Sequence, residues 1–252
     1  MKVFAMTHIG CVRKKNQDNF YCNGVYKTME LATYKCYEEH VSNGLYAVFD
    51  GMGGLSFGEE ASYVAVKALE RYQSKQSADD ECNGEDVIQY LNDAVCRQAR
   101  KRHADMGSTA VLLSCRDGVV QTYNVGDSKC FFLRKQEMFQ LTKDHTEWES
   151  LKRIYGNSQM ENCAWSRHTL TQYLGIEEEE FFIEPFTSEK ISIRKGDFFL
   201  LCSDGLSEFV ECQTIRQVLI GKGTLEEKGE TLLELAKKAG GKDNITILII
   251  EM

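Results

Sequence analysis

The sequence of 252 residues contains a single proline, Pro185, and no stretch rich in proline, or in glycine and serine, that would separate two domains. It also contains no internal repeat. Apolar residues make up 42% of the chain, and apolar runs are spread along its whole length. Because a chain of this size can bury one substantial core, we expect a single domain over residues 1–252, or at most two.

Long apolar runs and an excess of basic residues are also missing. No run approaches the roughly 18 apolar residues of a membrane-spanning helix, and residues 1–8 resemble no secretion signal. The formal net charge of −8 argues against a partner with a phosphate backbone, so we expect no nucleic-acid partner. The negative charge favours solubility, and part of it can belong to a cluster of metal ligands.

Ten cysteines are present, but none forms a Cys-x-x-Cys motif. This spacing excludes zinc-ribbon and thioredoxin-like sites. Several cysteines, among them Cys115, Cys130 and Cys202, lie within apolar runs, where a free thiol acts as a small hydrophobic side chain. A chain with a good core needs no disulfide framework, so we expect a reducing, cytoplasmic environment.

Three aspartates stand at the ends of apolar runs. Asp50 ends one run and is followed by Gly51-Met52-Gly53-Gly54, Asp204 precedes Gly205, and Asp243 comes just before the run Ile245–Ile250. A strand that delivers a carboxylate into a glycine-rich turn suits a hard cation, because glycines let backbone carbonyls approach closely. Aspartates so far apart in sequence can converge only through the fold, and the pattern predicts a metal site.

The spacing of apolar residues predicts strands and helices in separate clusters. Strands are predicted over residues 2–8, 19–26, 44–50, 108–115, 119–125, 129–134, 138–141, 180–184, 190–194, 197–202 and 244–251. Helices are predicted over residues 57–74, 86–103, 144–155, 212–220 and 224–238. The short strands between 108 and 141 are typical of an antiparallel meander. This arrangement indicates an α+β fold with two facing sheets and helix pairs outside, and the three aspartates at an edge where strand ends meet.

Seven motifs follow one another in a recognisable order. They are Arg13-x-x-Asn16-Gln17-Asp18, Asp50-Gly51-Met52-Gly53-Gly54, Gly107-Ser108-Thr109-Ala110, Asn124-Val125-Gly126-Asp127-Ser128, Leu141-Thr142-x-Asp144-His145, Ser203-Asp204-Gly205-Leu206 and Asp243-Asn244. Each motif alone is weak, but seven in order over nearly the whole chain are specific. Through them the chain resembles the metal-dependent protein serine/threonine phosphatases, the PPM or type 2C family, and its compact bacterial members most.

The resemblance implies a four-layer α-β-β-α sandwich with two Mn²⁺ or Mg²⁺ ions at its edge. It implies that Asp50 bridges both ions and that the Gly51 carbonyl binds one of them. Asp204 and Asp243 would hold the other ion, and Asp18 would act through metal-bound water. Oxygen ligands of this kind suit Mg²⁺ and Mn²⁺, which keep several waters.

The resemblance also implies the chemistry. A hydroxide that bridges the two metals would attack phosphorus in line, with Asp50 and Arg13 as catalytic residues. Arg13 would bind the substrate phosphate, because its planar fork can contact two phosphate oxygens. Asp127 matches an aspartate of a weaker third metal site, together with Asp204. The alternative for Asp127, within Gly-Asp-Ser, is an ordinary turn residue.

Three positions depart from the family pattern. Many eukaryotic members have a histidine where Met52 stands, and methionine cannot protonate a leaving group, so we expect a metal-bound water in that role. Gln17 and Glu208 each stand where an aspartate or other acidic residue is found in some members. No metal-ligand spacing, and therefore no role, is assigned to four histidines: His8, His40, His103 and His168.

Residues 146–168 correspond to the variable flap beside the family's active site. The segment contains Trp148, Arg153, Tyr155, Trp165 and Arg167. Aromatic and arginine side chains on a loop near a phosphate site favour substrate docking. The alternative is that the tryptophans anchor the flap to the core.

The leading hypothesis is thus a Mn²⁺- or Mg²⁺-dependent phosphatase acting on phosphoserine and phosphothreonine in proteins. Its substrates would be the targets of a serine/threonine protein kinase of the same cell, and that kinase is an expected partner. Two alternatives remain: a phosphoprotein-binding protein without turnover, and a hydrolase of small phosphoesters.

Overall fold

The computed structural model describes residues 1–39, 43–52, 57–75, 83–156, 168–177 and 182–252. Gly53 and Gly54 of the glycine-rich turn lie outside these ranges. The same holds for His40 and for the flap residues Trp165 and Arg167.

The described residues form strands and helices in clusters, as predicted. The strands are β1 (Lys2–His8), β2 (Asn19–Cys22), β3 (Val25–Tyr26), β4 (Thr33–Glu39), β5 (Gly44–Phe49), β6 (Ala110–Arg116), β7 (Val119–Val125), β8 (Lys129–Arg134), β9 (Glu137–Gln140), β10 (Phe186–Thr187), β11 (Ile191–Ser192), β12 (Phe198–Cys202) and β13 (Ile245–Glu251). The helices are α1 (Gly58–Lys75), α2 (Gly84–Arg102), α3 (Glu147–Tyr155), α4 (Asp204–Ser207), α5 (Cys212–Ile220) and α6 (Leu225–Lys238).

The strands assemble into two antiparallel sheets. The first has the order β4-β1-β13-β12-β8-β9, and the second the order β10-β7-β6-β5-β2-β3, with β11 also beside β7. Alternate residues of a strand face opposite sides of its sheet. In β5, Val48 packs between the two sheets while Ala47 and Phe49 face α1 and α2. The outer face of the first sheet packs in the same way on α5 and α6. The predicted α+β sandwich with helices outside both sheets is confirmed.

Strand register brings remote segments to one edge of the sandwich. Pairing of Asn19 with Phe49 places the start of β2 beside the end of β5. Pairing of Cys202 with Ile247 places the end of β12 close to the start of β13. Both junctions carry predicted metal ligands, so the sheets themselves position the site.

Several predicted elements differ from the structure. Residues 19–26 form a hairpin rather than one strand, because Asn23 and Gly24 both have positive φ and turn the chain. Strand β4 was not predicted, since it is an edge strand with polar residues on its exposed face. The predicted strand 180–184 is also wrong where it can be examined: residues 182–184 belong to no strand, and pairing begins at Phe186.

The predicted meander between residues 108 and 141 is divided between the sheets. Strands β6 and β7 pair in the second sheet, whereas β8 and β9 pair in the first. The chain crosses over at Gly126-Asp127-Ser128, where Gly126 has a φ of 93°. This crossover delivers Asp127 to the edge shared by both sheets.

The helices and the cysteines of the described ranges bear on two features of the composition. No helix in the described ranges is long and apolar enough to cross a membrane. The cysteines in these ranges are free thiols, and most of them are buried.

The core between the sheets predicts a large effect of truncating Phe199. Its side chain is fully buried, and its ring stacks on Phe132 with 5.0 Å between ring centroids. We expect Phe199→Ala to lower the free energy of unfolding by about 3–5 kcal/mol, as measured by urea denaturation. The control is Phe139→Ala, since Phe139 is 51% exposed. This substitution should lower the free energy of unfolding by no more than about 0.5 kcal/mol. Equal losses in both variants would contradict this picture of the core.

Candidate active site

Asp50 follows β5 and is held through its backbone. Its carbonyl accepts hydrogen bonds from Thr109 N (2.8 Å) and Ser108 Oγ (3.0 Å), and its N–H donates to Thr109 Oγ1 (3.0 Å). Burial raises the pKa of Asp50 well above its ordinary value, and the nearby charges of Asp18 and Asp204 raise it further. The carboxyl group therefore stands on a fixed backbone in surroundings that disfavour its charge.

Gly51 is required by close approach of the backbone. A Cβ at this position would lie 2.2 Å from the Gly58 carbonyl oxygen and 2.6 Å from that of Gln17. The Gly51 N–H donates to the same Gln17 oxygen at 3.2 Å. Any side chain here would push α1 and the segment before β2 away from the site.

Asp18 is fully buried behind Asp50. Its Oδ2 accepts a hydrogen bond from Thr246 Oγ1 (2.6 Å), which in turn contacts Thr7 Oγ1 at 2.8 Å. Its Oδ1 is buried and has no hydrogen-bond partner among the described residues. Burial raises the pKa of Asp18 to about 6.

Asp204 begins the short helix α4, directly after β12. Its Oδ1 is also buried, and no residue that the structure describes forms a hydrogen bond with it. Burial raises its pKa well above the ordinary value, with further contributions from the charges of Asp127 and Asp243. The next residue, Gly205, packs against the backbone of Asn244, where a Cβ would overlap the carbonyl oxygen.

Arg13 and Asp243 pair with each other. The guanidinium donates to Asp243 Oδ2 at 2.5 Å, and this hydrogen bond is the main cause of the raised pKa of Arg13. Asn244 fixes the loop that carries Arg13: its Nδ2 donates to the carbonyls of Ile9 and Lys15 (2.9 Å each), and its Oδ1 accepts from Gln17 N. One amide thus ties the loop before β2 to the start of β13.

Asp127 lies on the crossover between β7 and β8. Burial raises its pKa to about 6; the charge of Asp144 raises it further, while Lys129 opposes the shift. Lys129 itself pairs with Asp144. Asp127 is therefore part of the acidic cluster rather than only a turn residue.

The side chains meet at a cavity of about 440 Å³ at the edge of the sandwich. Its lining comprises Arg13, Asp50, Met52, Thr109, Asp127, His168, Leu170, Asp204, Glu208 and Asp243. Asp18 and Gly51 are not among the lining residues, since they lie behind and beside Asp50. The structure thus brings all the predicted site residues into one region.

The oxygen atoms of the site are the donors that a divalent ion would use. In the described part of the chain, no group of three or more Asp, Glu, His or Cys side chains is already arranged to hold a metal ion. One oxygen of Asp243 accepts a hydrogen bond from Arg13. Two buried carboxylate oxygens, on Asp18 and Asp204, nevertheless have no hydrogen-bond partner in the described part of the chain. Buried carboxylates normally pair or coordinate metals, and hard oxygen donors suit Mn²⁺ and Mg²⁺. The residues therefore fit such ions.

Comparison with known proteins identifies the family. Residues 33–245 match the model of the family described as "Protein phosphatase 2C". The chain belongs to this family. Its membership confirms the predictions of family, fold class and enzyme class made from the sequence motifs.

Individual relatives agree with this assignment. The serine/threonine phosphatase stp of Listeria innocua is 31% identical, over 97% of this chain and 93% of its own length. The protein phosphatase PhpP of Streptococcus pneumoniae is 29% identical, over 100% and 98%. A crystal structure of the catalytic domain of the phosphatase PstP in complex with two manganese ions superimposes with a TM-score of 0.77 at 28% identity, covering 100% of this chain and 99% of that one.

The part of the flap that is described borders the site. Trp148 of α3 lines a second cavity of about 220 Å³ together with Asp127 and Asp204, which also line the first. Arg153 lines a larger cavity of about 720 Å³ that shares Asp144 and Glu149 with the second one. Helix α3 therefore lies next to the acidic cluster.

Sequence reasoning missed His168, to which it assigned no role. The structure places this side chain on the cavity, with Nδ1 2.8 Å from Glu208 Oε1. The roles of Thr246 and Asn244 as partners of the site were missed too. For Asn244 a signal existed, since an Asn directly after a predicted ligand can hydrogen-bond backbone groups nearby; a lone histidine in a polar segment offered none.

The raised pKa values predict a pH-dependent stability of the metal-free protein. A carboxyl group whose folded pKa exceeds its unfolded value adds stability below the unfolded pKa, and this stability is lost as pH rises through the folded pKa. For Asp18 the folded value is about 6, and a shift of about two units corresponds to about 3 kcal/mol. We expect the melting temperature to fall between about pH 4 and pH 7, and to fall less in Asp18→Asn. An identical pH dependence of the melting temperature in wild type and variant would contradict the raised pKa of the buried Asp18.

Proposed function

We propose that this chain is a Mn²⁺- or Mg²⁺-dependent phosphatase that hydrolyses phosphoserine and phosphothreonine in proteins. The observation that carries the proposal is the convergence of four aspartates and Arg13, from separate loops, on one cavity. Family membership supports the reaction class. The names of the relatives, all serine/threonine or protein phosphatases, support the substrate class.

The acidic residues would hold two ions. Asp50 and the Gly51 carbonyl would bind one of them, and Asp50, Asp204 and Asp243 the other, with Asp18 behind them. Asp127 and Asp204 would contribute to a weaker third site. When bound, the ions would activate the attacking water and offset negative charge on the phosphoryl oxygens. The structure of PstP with two manganese ions supports this number.

The protein's own residues provide rigidity, charge and substrate binding. Hydrogen bonds from Thr109 and Ser108 hold the backbone of Asp50, so the carboxylate needs little reorganisation during the reaction. Arg13 would exchange its pairing with Asp243 for the substrate phosphate, to which its planar fork is suited. Water attacks phosphorus directly, and no residue forms a covalent intermediate with the phosphoryl group.

The wider context is part of the proposal. The chain would act as one catalytic domain, with residues 146–168 as a flap that contacts the substrate protein. It would work in the cytoplasm and reverse the action of a serine/threonine protein kinase. The free cysteines support a reducing compartment.

The first experiment measures phosphate release from a phosphothreonine peptide with and without Mn²⁺. Wild type should turn over only with the metal, and Asp204→Asn should reduce kcat by at least about 100-fold, because it removes a ligand oxygen whose charge the ions require. The matched control is Asp117→Asn, an exposed turn residue with a φ of 49° that Asn also adopts. No turnover by a folded wild type with any divalent metal would instead favour the phosphoprotein-binding alternative.

The pairing of Arg13 makes a second prediction. Arg13→Ala should raise KM for the phosphopeptide about tenfold, the equivalent of about 1.4 kcal/mol of lost phosphate binding, since Arg13 is the one arginine or lysine among the described cavity residues. Mn²⁺ affinity, measured by calorimetry, should not weaken, because the substitution also releases Asp243 Oδ2. Weaker Mn²⁺ binding with an unchanged KM would contradict the assignment of Arg13 to the substrate.

A further inference from the structure

We propose that His168 is the general acid that protonates the leaving serine or threonine oxygen. The inference rests on the proposed phosphatase function and assigns a role that the sequence motifs leave open. Met52 stands where a histidine is found in many eukaryotic members, and its thioether carries no proton to donate. His168 comes from a different segment, as the last residue of the flap, and takes the place of the metal-bound water expected from the sequence.

The position of His168 in the cavity suits a proton donor to the leaving group. The floor of the cavity contains the partly buried Asp50 and Asp204, whereas the His168 side chain is 63% exposed at its mouth. A phosphoryl group that enters toward the floor must direct its ester oxygen outward, because a protein chain is attached to that oxygen. His168 therefore lies on the side of the cavity where the alkoxide develops.

Hydrogen bonds hold the backbone after His168 to the start of α3 and to Ser108. Thr169 O accepts a hydrogen bond from Glu147 N (2.9 Å), and Leu170 pairs with Thr146 in a β-bridge. Further along, Leu174 exchanges two hydrogen bonds with Ser108, whose hydroxyl also binds the Asp50 carbonyl. These contacts connect the segment that starts at His168 to the residue that would bridge the metals, so the imidazole is placed relative to the reacting phosphorus.

Glu208 orients the imidazole. Its Oε1 lies 2.8 Å from His168 Nδ1, so that the proton to be transferred belongs to Nε2. The other charged groups on the cavity are Arg13 and the aspartates at 50, 127, 204 and 243. Arginine does not give up its proton in this pH range, and the aspartates are the proposed metal ligands. Of the described cavity residues, His168 is the one histidine, and histidine is the side chain that exchanges protons near neutral pH.

The proposed step is balanced. The oxygen of the attacking water forms a bond to phosphorus while the ester P–O bond breaks. The Nε2 proton of the imidazolium passes to the leaving oxygen and yields the serine or threonine hydroxyl. The neutral imidazole then recovers a proton from solvent, which has taken up the proton lost by the attacking water, and inorganic phosphate leaves.

The test compares leaving groups. Wild type, His168→Asn and Glu208→Gln are assayed with Mn²⁺ on a phosphothreonine peptide and on p-nitrophenyl phosphate, whose stable phenolate needs no proton. We expect His168→Asn to lower kcat on the peptide about 100-fold and to change kcat on p-nitrophenyl phosphate little. The basic limb of the peptide pH–rate profile should disappear in this variant. Glu208→Gln should show the same selectivity with a smaller loss, since the ring remains but is less firmly held.

Controls separate this role from stability and from metal binding. His103→Asn is matched to His168→Asn, because His103 is an exposed residue at the end of α2 with a φ of 52° that Asn also adopts, and it should behave as wild type. Mn²⁺ affinity and melting temperature of His168→Asn should equal those of wild type. Equal losses on both substrates, unchanged peptide turnover or a matching loss of Mn²⁺ affinity would overturn the proposal. Absence of wild-type turnover on both substrates would overturn the phosphatase function itself, a different result from an active wild type with an unselective variant.

Discussion

The whole structure depends on gathering like charges that repel one another at one edge of the sandwich. Asp18 is fully buried and Asp50 and Asp204 are partly buried, and both burial and the charges of neighbouring aspartates oppose their ionisation. Inside the protein, hydroxyl groups and a single guanidinium satisfy only part of this charge. A cluster of this kind persists only on a rigid frame, which the two sheets, their register and the Asn244 amide supply.

The same cluster explains why the site needs cations for its chemistry. A phosphate ester approaches as an anion, and the cavity presents five carboxylates, four from aspartates and one from Glu208, against one arginine. Divalent ions reverse the sign of this field at short range. In the metal-free site Arg13 pairs with Asp243. The guanidinium thereby neutralises part of the negative charge that the ions would otherwise balance.

The sequence predicted the sandwich, and it selected candidate ligand residues that the structure brings to one cavity, because local patterns of residues indicate both. Alternating apolar residues in β5 and helical spacing in α1 depend on neighbours a few positions away, and Asp50 and Gly51 stand together in one turn. Strand β4 was missed because an edge strand buries little and carries a weak apolar pattern. The division of the expected meander depended on Gly126, whose positive φ sends the chain from one sheet to the other.

By itself the sequence determined the types of the candidate ligand residues, their order and the turns that carry them, since residue chemistry and short-range spacing suffice for these. Only the tertiary structure decided which distant groups meet. Arg13 contacts Asp243 across 230 positions, and His168 reaches Glu208 on the catalytic cavity. Such pairs follow from strand register and crossovers, which sum many weak contacts over the whole core. No local stretch of residues contains that information.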